Sequence, residues 1–353
     1  MATPRLEIDL KKIAHNAKAL VELYGLKGIV IIGVSKVVCG NPGIAAVLVK
    51  SGISLLADSR LENIRRMRTA GIQAQFLLLR IPFLSQAEEV VKYADISLNS
   101  ELSVIRALSK SALAVNTRHQ IILMIELGDL REGLMPEDLN STVEQVLKLD
   151  GIKLVGIGTN LACFGGIKPD DTNMEILSSL AGELEKKFGV ELSIISGGNS
   201  ANYSWFNSTK DIGRINNLRI GESIFLGCET LYRKLIPELF TNAFTLVAEV
   251  IESKVKSSVP NGVVYQDAFG NVPKFEDRGQ IKRVILGIGL QDVLVSGLIP
   301  RADIKILGAS SDHLIIDTKN TEYKVGAELE FDLNYGALLS LMTSPFVQKM
   351  EVG

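Results

Sequence analysis

Over the first two-thirds of the chain, short runs rich in Val, Ile and Leu return at regular spacing, with helical stretches between them. The runs fall near 29–35, 53–57, 75–79, 95–98, 120–127, 153–158, 192–196 and 217–220. The intervening segments, such as AEEVVK at 87–92 and EILSSLAGELEKKF at 175–188, are rich in Glu, Lys, Leu and Ala. Strands apolar on both faces suit a parallel sheet covered by helices. Eight such units in roughly 220 residues predict an α/β fold of the (β/α)8 TIM-barrel type. The competing doubly wound sheet is disfavoured, because no Gly-x-Gly-x-x-Gly turn follows the first strand.

A chain of 353 residues exceeds what one core usually accommodates. Its texture changes near residue 232. From Leu246 onward the segments LVAEVIES, KRVILGIG, DIKILGA, HLIIDT and EYKVGAELEF are short, several alternate, and Gly, Pro, Asn and Asp separate them. This predicts a mainly antiparallel β-domain. The expected division is a barrel at 10–232 and a β-domain at 233–353, joined by an N-terminal strand at 4–9.

A net charge of −2 gives no electrostatic reason to expect nucleic acid or an anionic membrane as partner. The N-terminus has no apolar signal core, and no run of 18 apolar residues occurs. Three scattered cysteines and three scattered histidines offer neither a disulfide framework nor metal-ligand spacing. The expected address is the cytoplasm.

Barrel active sites lie at the C-terminal ends of the strands. Here those ends carry Lys36, Asp58-Ser59, Arg80, Asn99-Ser100, Arg131, Thr159-Asn160, the SGGNS turn at 196–200 and the RIG turn at 219–221. Each alone is better explained as a turn residue or helix cap. Two glycine turns at the seventh and eighth strands, however, match the usual barrel phosphate position. A lysine on the first strand facing a phosphate site suggests a Schiff base, since a desolvated amine is neutral and attacks carbonyls. The carbonyl could belong to a sugar phosphate or to pyridoxal phosphate, and the residues alone leave both open.

The chain resembles the pyridoxal-phosphate-dependent alanine racemase family of fold type III, nearest its ornithine racemase branch. The resemblance runs through RLEIDLKKIAHNAKAL, GVSKVVCG, DSRLENIRRMRTAG, ADISLNSE, GDLREG, VGIGTNLACFGG, IISGGNSA, NNLRIGE and LNYGALLSLMTSP. It implies pyridoxal 5'-phosphate as cofactor, carried on Lys36. Arg219 would face the pyridine nitrogen, and Ser200, Gly221 and Tyr335 would hold the phosphate. Two bases must flank the α-carbon for racemisation. The resemblance makes them Lys36 and Tyr265, the latter from the partner subunit of a head-to-tail homodimer with composite sites. Arg131 would take the substrate carboxylate.

Several positions depart from the alanine-specific pattern. Cys39 stands where a tyrosine follows the lysine, Asn160 replaces a histidine beside the cofactor, and Leu290 replaces an entrance tyrosine. Met124 falls where a carbamylated lysine is found. Loss of entrance bulk implies a small-molecule amino acid longer than alanine, such as ornithine. Asp312 is a candidate partner for its distal ammonium, with Asp292 and Glu222 as alternatives. Competing readings are a decarboxylase or aldolase on the same barrel, and a non-catalytic pyridoxal-phosphate homeostasis protein. The last kind lacks a C-terminal β-domain.

Overall fold

The computed structural model describes residues 3–319 and 321–353. Strand β1 (Arg5–Asp9) and helix α1 (Leu10–Gly25) open the chain. Eight parallel strands follow: β2 (Val30–Val34), β3 (Leu55–Asp58), β4 (Gln75–Leu78), β5 (Ile96–Asn99), β6 (His119–Met124), β7 (Ile152–Gly158), β8 (Ile194–Ser196) and β9 (Asn217–Ile220). They close into a barrel, β2 pairing with both β3 and β9. Helices α2 (Pro42–Lys50), α3 (Leu61–Thr69), α4 (Ala87–Tyr93), α5 (Leu102–Ala114), α6 (Leu139–Val146), α7 (Asp171–Phe188), α8 (Tyr203–Ser208) and α9 (Glu222–Leu226) alternate with the strands.

The two-residue period of each strand sorts its side chains between barrel and helices. Ile32 and Val34, Leu55 and Ala57, Leu77, Ile96 and Leu98, Ile122 and Met124, and Val155 form one buried cluster inside the barrel. Their odd-spaced neighbours, such as Ile31, Leu56 and Ile121, are buried under the helices. Helix α1 answers with Ile13, Ala17, Leu20 and Tyr24, the spacing that puts one stripe on one face. Helix α2 starts where it does because Asn41 accepts the Ile44 amide at 2.9 Å and Pro42 follows.

The chain forms two compact units, Leu10–Thr241 and the described N-terminal residues to Asp9 with Asn242–Gly353. The division falls later than the expected 233. Residues 233–241 stay with the barrel because Cys228 bridges Leu235 and the Ile236 amide donates to Gly227 O at 2.9 Å. Asn16 of α1 also donates to Phe240 O and accepts its amide, each at 2.8 Å.

The second unit contains β10 (Phe244–Ser257), β11 (Gln280–Leu286), β12 (Leu298–Pro300), β13 (Lys305–Ala309), β14 (Leu314–Asp317), β15 (Glu328–Leu333), helix α10 (Tyr335–Thr343) and β16 (Gln348–Val352). Its antiparallel order is β12-β15-β10-β11-β14-β13. Strand β1 pairs antiparallel with β10 and parallel with β16. Between β10 and β11, residues 258–279 contain no strand.

Candidate active site

Ile32 and Val34 face the barrel interior, so the same alternation carries Lys36 to its mouth. There the chain makes a short 3-10 turn, Lys36–Val38, that ends on Cys39 in the left-handed region. Ser35 points the other way. Its Oγ donates to Asp58 Oδ2 at 2.8 Å, and Asp58 Oδ1 accepts Arg60 N at 2.9 Å and Asn63 Nδ2 at 3.0 Å. Arg66 of α3 donates to Cys39 O. The lysine's turn is thereby tied to β3 and α3 from outside the barrel.

Burial, above all, lowers the Lys36 ammonium below its ordinary value; Arg131 and Arg219 lower it further, while Cys163 and Asp58 oppose them. The result favours the neutral, nucleophilic amine. Asp58, wholly buried, is raised by desolvation against its hydrogen bonds.

Arg219 is 4% exposed. Its Nη1 donates to Ser196 Oγ at 2.6 Å, and its Nη2 to Thr159 O at 2.7 Å and Asn160 Oδ1 at 3.4 Å. Burial brings the guanidinium down to about 10, still cationic at neutral pH. Asn160 Oδ1 also accepts Asn199 Nδ2 at 3.1 Å, whereas Asn160 Nδ2 is buried without a partner among the described residues. Ser200 is buried, and its Oγ accepts the Ser223 amide at 3.3 Å, joining the two glycine turns. At Gly221 a Cβ would come within 3.0 Å of both Val34 Cβ and Val34 O, so only glycine fits without displacement.

A buried amine shifted toward its neutral form, an orphaned buried amide donor, a buried hydroxyl and a side-chain-free turn make a donor set suited to pyridoxal phosphate. The residues fit the group.

Arg131 lies on the loop after β6. Its Nη2 donates to Glu132 Oε1 at 2.5 Å and its Nε to Glu132 Oε2, which raises the guanidinium above its ordinary value. The loop is rigidly placed. Leu134 N donates to Met124 O at 2.7 Å and Glu126 N to Leu134 O at 2.9 Å. Gly133 has φ +150°, and a Cβ there would meet Glu126 N at 2.4 Å. Met124 itself belongs to the barrel interior.

The remaining expected residues sit in the other unit. Tyr265 is 78% exposed, within the strand-free segment 258–279. Asp312 is exposed and accepts His313 Nδ1 at 2.8 Å, which holds its carboxyl below the usual range. Tyr335 begins α10, which Asn334 caps by accepting Ala337 N at 3.0 Å. Leu290 is partly exposed, its amide donating to Ser310 O.

Two members of the strand-end series serve elsewhere. Asn99 faces the helices, because Ile96 and Leu98 take the interior positions of β5. It donates to Ser97 Oγ, which lies 2.9 Å from the buried His119 Nε2. Arg80 stacks over Phe83. Conversely, the anchoring role of Ser35 and Ser196 was open to the two-residue alternation that places Lys36 and Arg219. No sequence signal brings Cys163 to Lys36 or Glu132 to Arg219.

Among the described residues, no group of three His, Cys, Asp or Glu side chains is placed to hold a metal, and no helix is long and apolar enough to cross a membrane. A closed parallel barrel with a buried lysine at its mouth, followed by an antiparallel β-unit, defines the class of fold to which the chain belongs. The N-terminal-domain model of alanine racemases matches residues 8–228. The ornithine racemase of Acetoanaerobium sticklandii is 43% identical over 353 residues, covering 98% of this chain and 99% of its own. The lysine racemase of Thermotoga maritima is 43% identical, with 99% of each chain covered. The crystal structure of alanine racemase from Streptomyces lavendulae shares the fold at a TM-score of 0.76 and 17% identity, covering 100% of this chain and 98% of its own. The chain belongs to the alanine racemase family.

Proposed function

We propose that this chain is a pyridoxal 5'-phosphate-dependent racemase that interconverts L- and D-ornithine, or a similar basic amino acid, in a head-to-tail homodimer. The observation that carries this reading is end-to-end similarity, at 43% identity, to two racemases named for amino acids with a distal ammonium. The bound cofactor withdraws electrons from the substrate's α-carbon and so acidifies its α-proton.

The chain's own residues do the rest. Lys36, favoured as a neutral amine by its surroundings, takes or returns the α-proton on one face. The hydroxyl of the partner subunit's Tyr265 serves the opposite face. Its exposure in the single chain leaves it available to a second subunit. Arg219, cationic at neutral pH and anchored by Ser196 and Thr159, would face the cofactor's ring nitrogen and disfavour a proton there. Ser200 and the Gly221 turn would hold the phosphate, Asn160 Nδ2 would supply a further donor, and Arg131 would take the α-carboxylate. Asp312 is one candidate for the distal ammonium.

Mixing inactive Lys36→Ala and Tyr265→Phe chains tests the composite site. Random re-pairing restores activity to about a quarter of wild type, because half the dimers carry one intact site. No recovery after verified subunit exchange refutes the composite arrangement. A decarboxylase or aldolase needs no second, face-opposed base, so product chemistry that survives Tyr265→Phe unchanged would favour that reading instead.

A further inference from the structure

Resting on the racemase reading, we propose that Glu132 selects the basic side chain of the substrate. The substrate's α-carboxylate displaces Glu132 from Arg131, and the freed carboxylate pairs with the distal ammonium.

The forked ion pair between Arg131 and Glu132 occupies the guanidinium that a substrate carboxylate needs. Glu132 is the less accessible partner, its side chain 20% exposed against 41% for Arg131. Its position is set by a loop braced along its length. Glu126 accepts Gly128 N at 2.5 Å and Arg131 N at 3.3 Å. The buried Asp129 accepts Cys163 N at 3.2 Å and Phe164 N at 3.0 Å, fastening the loop to the segment after β7.

The charge of Glu132 reaches Arg219 as well as Arg131. Arg219 is already anchored through both Nη atoms to Ser196, Thr159 and Asn160. A carboxylate released from Arg131 loses its ion-pair partner while its side chain is only 20% exposed. Removing one partner of such a pair is costly, and the cost falls on any ligand that brings a carboxylate but no cation. Alanine and other neutral amino acids strand the Glu132 charge. Ornithine or lysine brings a carboxylate for Arg131 and an ammonium for Glu132, so both charges stay paired. The pair thus discriminates by penalising the wrong substrate as well as holding the right one.

The test compares L-ornithine with L-norvaline, which has the same carbon chain and no distal amine. Racemisation kcat/KM and calorimetric affinity are measured for wild type, Glu132→Gln, Glu132→Asp and Asp312→Asn holoenzymes. Glu132→Gln is expected to lower kcat/KM for ornithine about 100-fold while norvaline turnover stays within about threefold or rises. Ornithine affinity falls in parallel, and Glu132→Asp keeps most of the preference. Retained norvaline turnover shows that the variant folds.

Equal losses on both substrates would mean that Glu132 merely orients Arg131, and would overturn the proposal. So would unchanged ornithine kinetics, or loss of preference in Asp312→Asn instead. A wild-type enzyme that treats the two substrates alike overturns the Glu132 assignment alone. A wild-type enzyme that racemises neither overturns the racemase reading with it.

Discussion

The barrel mouth and the segment between β10 and β11 present their key residues in opposite ways. At the mouth, Arg219 is held by hydrogen bonds to Ser196 and Thr159, and the turn that carries Lys36 is tied to β3 through Ser35, within one compact unit. Tyr265 lies 78% exposed in a stretch with no strand. One region is finished by its own chain, whereas the other offers a side chain outward. On the proposed two-base reading, proton return on one face would depend on assembly, whereas the lysine proposed to carry the cofactor is positioned by the barrel.

The largest effect expected is from the finished half. Lys36→Ala should lower racemisation by roughly 10⁴-fold or more. It should also abolish borohydride fixation of pyridoxal phosphate to the chain, read by mass spectrometry. Fixation at another lysine would break the comparison at its root.

Next, Tyr265→Phe should reduce racemisation by about 10²–10⁴-fold, as loss of one general acid–base group does. Borohydride fixation at Lys36 should be unaffected. α-Deuterium uptake from heavy water should continue on one face without inversion. If cofactor capture also failed, the two regions would not be separable.

The barrel wall itself carries a pH signature. Burial brings His119 down from 6.5 to about 4. The unfolded chain binds that proton below 6.5 and the folded chain only near 4, so stability falls as pH drops through this window. The gap corresponds to about 3 kcal/mol, fully present above pH 6.5 and lost near pH 4. Urea unfolding of the wild type against His119→Gln should show the slope flattened in the variant. An unchanged slope would place the titrating group elsewhere.

The smallest effect is expected at the Arg131 loop. Gly133→Ala forces a Cβ against Glu126 N at a φ of +150° and should cost about 2 kcal/mol of local strain. The expected readout is a raised KM with intact Lys36 fixation. Loss of fixation would show that the loop and the lysine are one structural element.

The barrel was legible because its cue is periodic. Runs near 95–98 and 217–220 lie within a residue of β5 and β9, since strands buried on both faces have little choice of residue. The boundary at 233 was not, because what keeps 233–241 on the barrel is a side chain more than two hundred residues away, Asn16. At the site, Lys36 stood out as a charge in apolar sequence. Arg219 drew notice only from its glycine turn, and its partners Ser196 and Thr159 are ordinary polar residues until the barrel closes. Asn99 misled for a reason of register: polar and at a strand end, it occupies the outward half of the alternation.

The tie from Ser35 to Asp58 has a consequence for the order of events in the protein's life. It approaches the lysine from behind, through the outer face of the wall, and uses nothing that a cofactor would supply. On the proposed reading, the chain would therefore not need the cofactor to finish folding. The empty protein should unfold as cooperatively as the loaded one and resist proteases equally around residues 35–40. Activation then becomes a bimolecular chemical capture, its pace set by cofactor concentration.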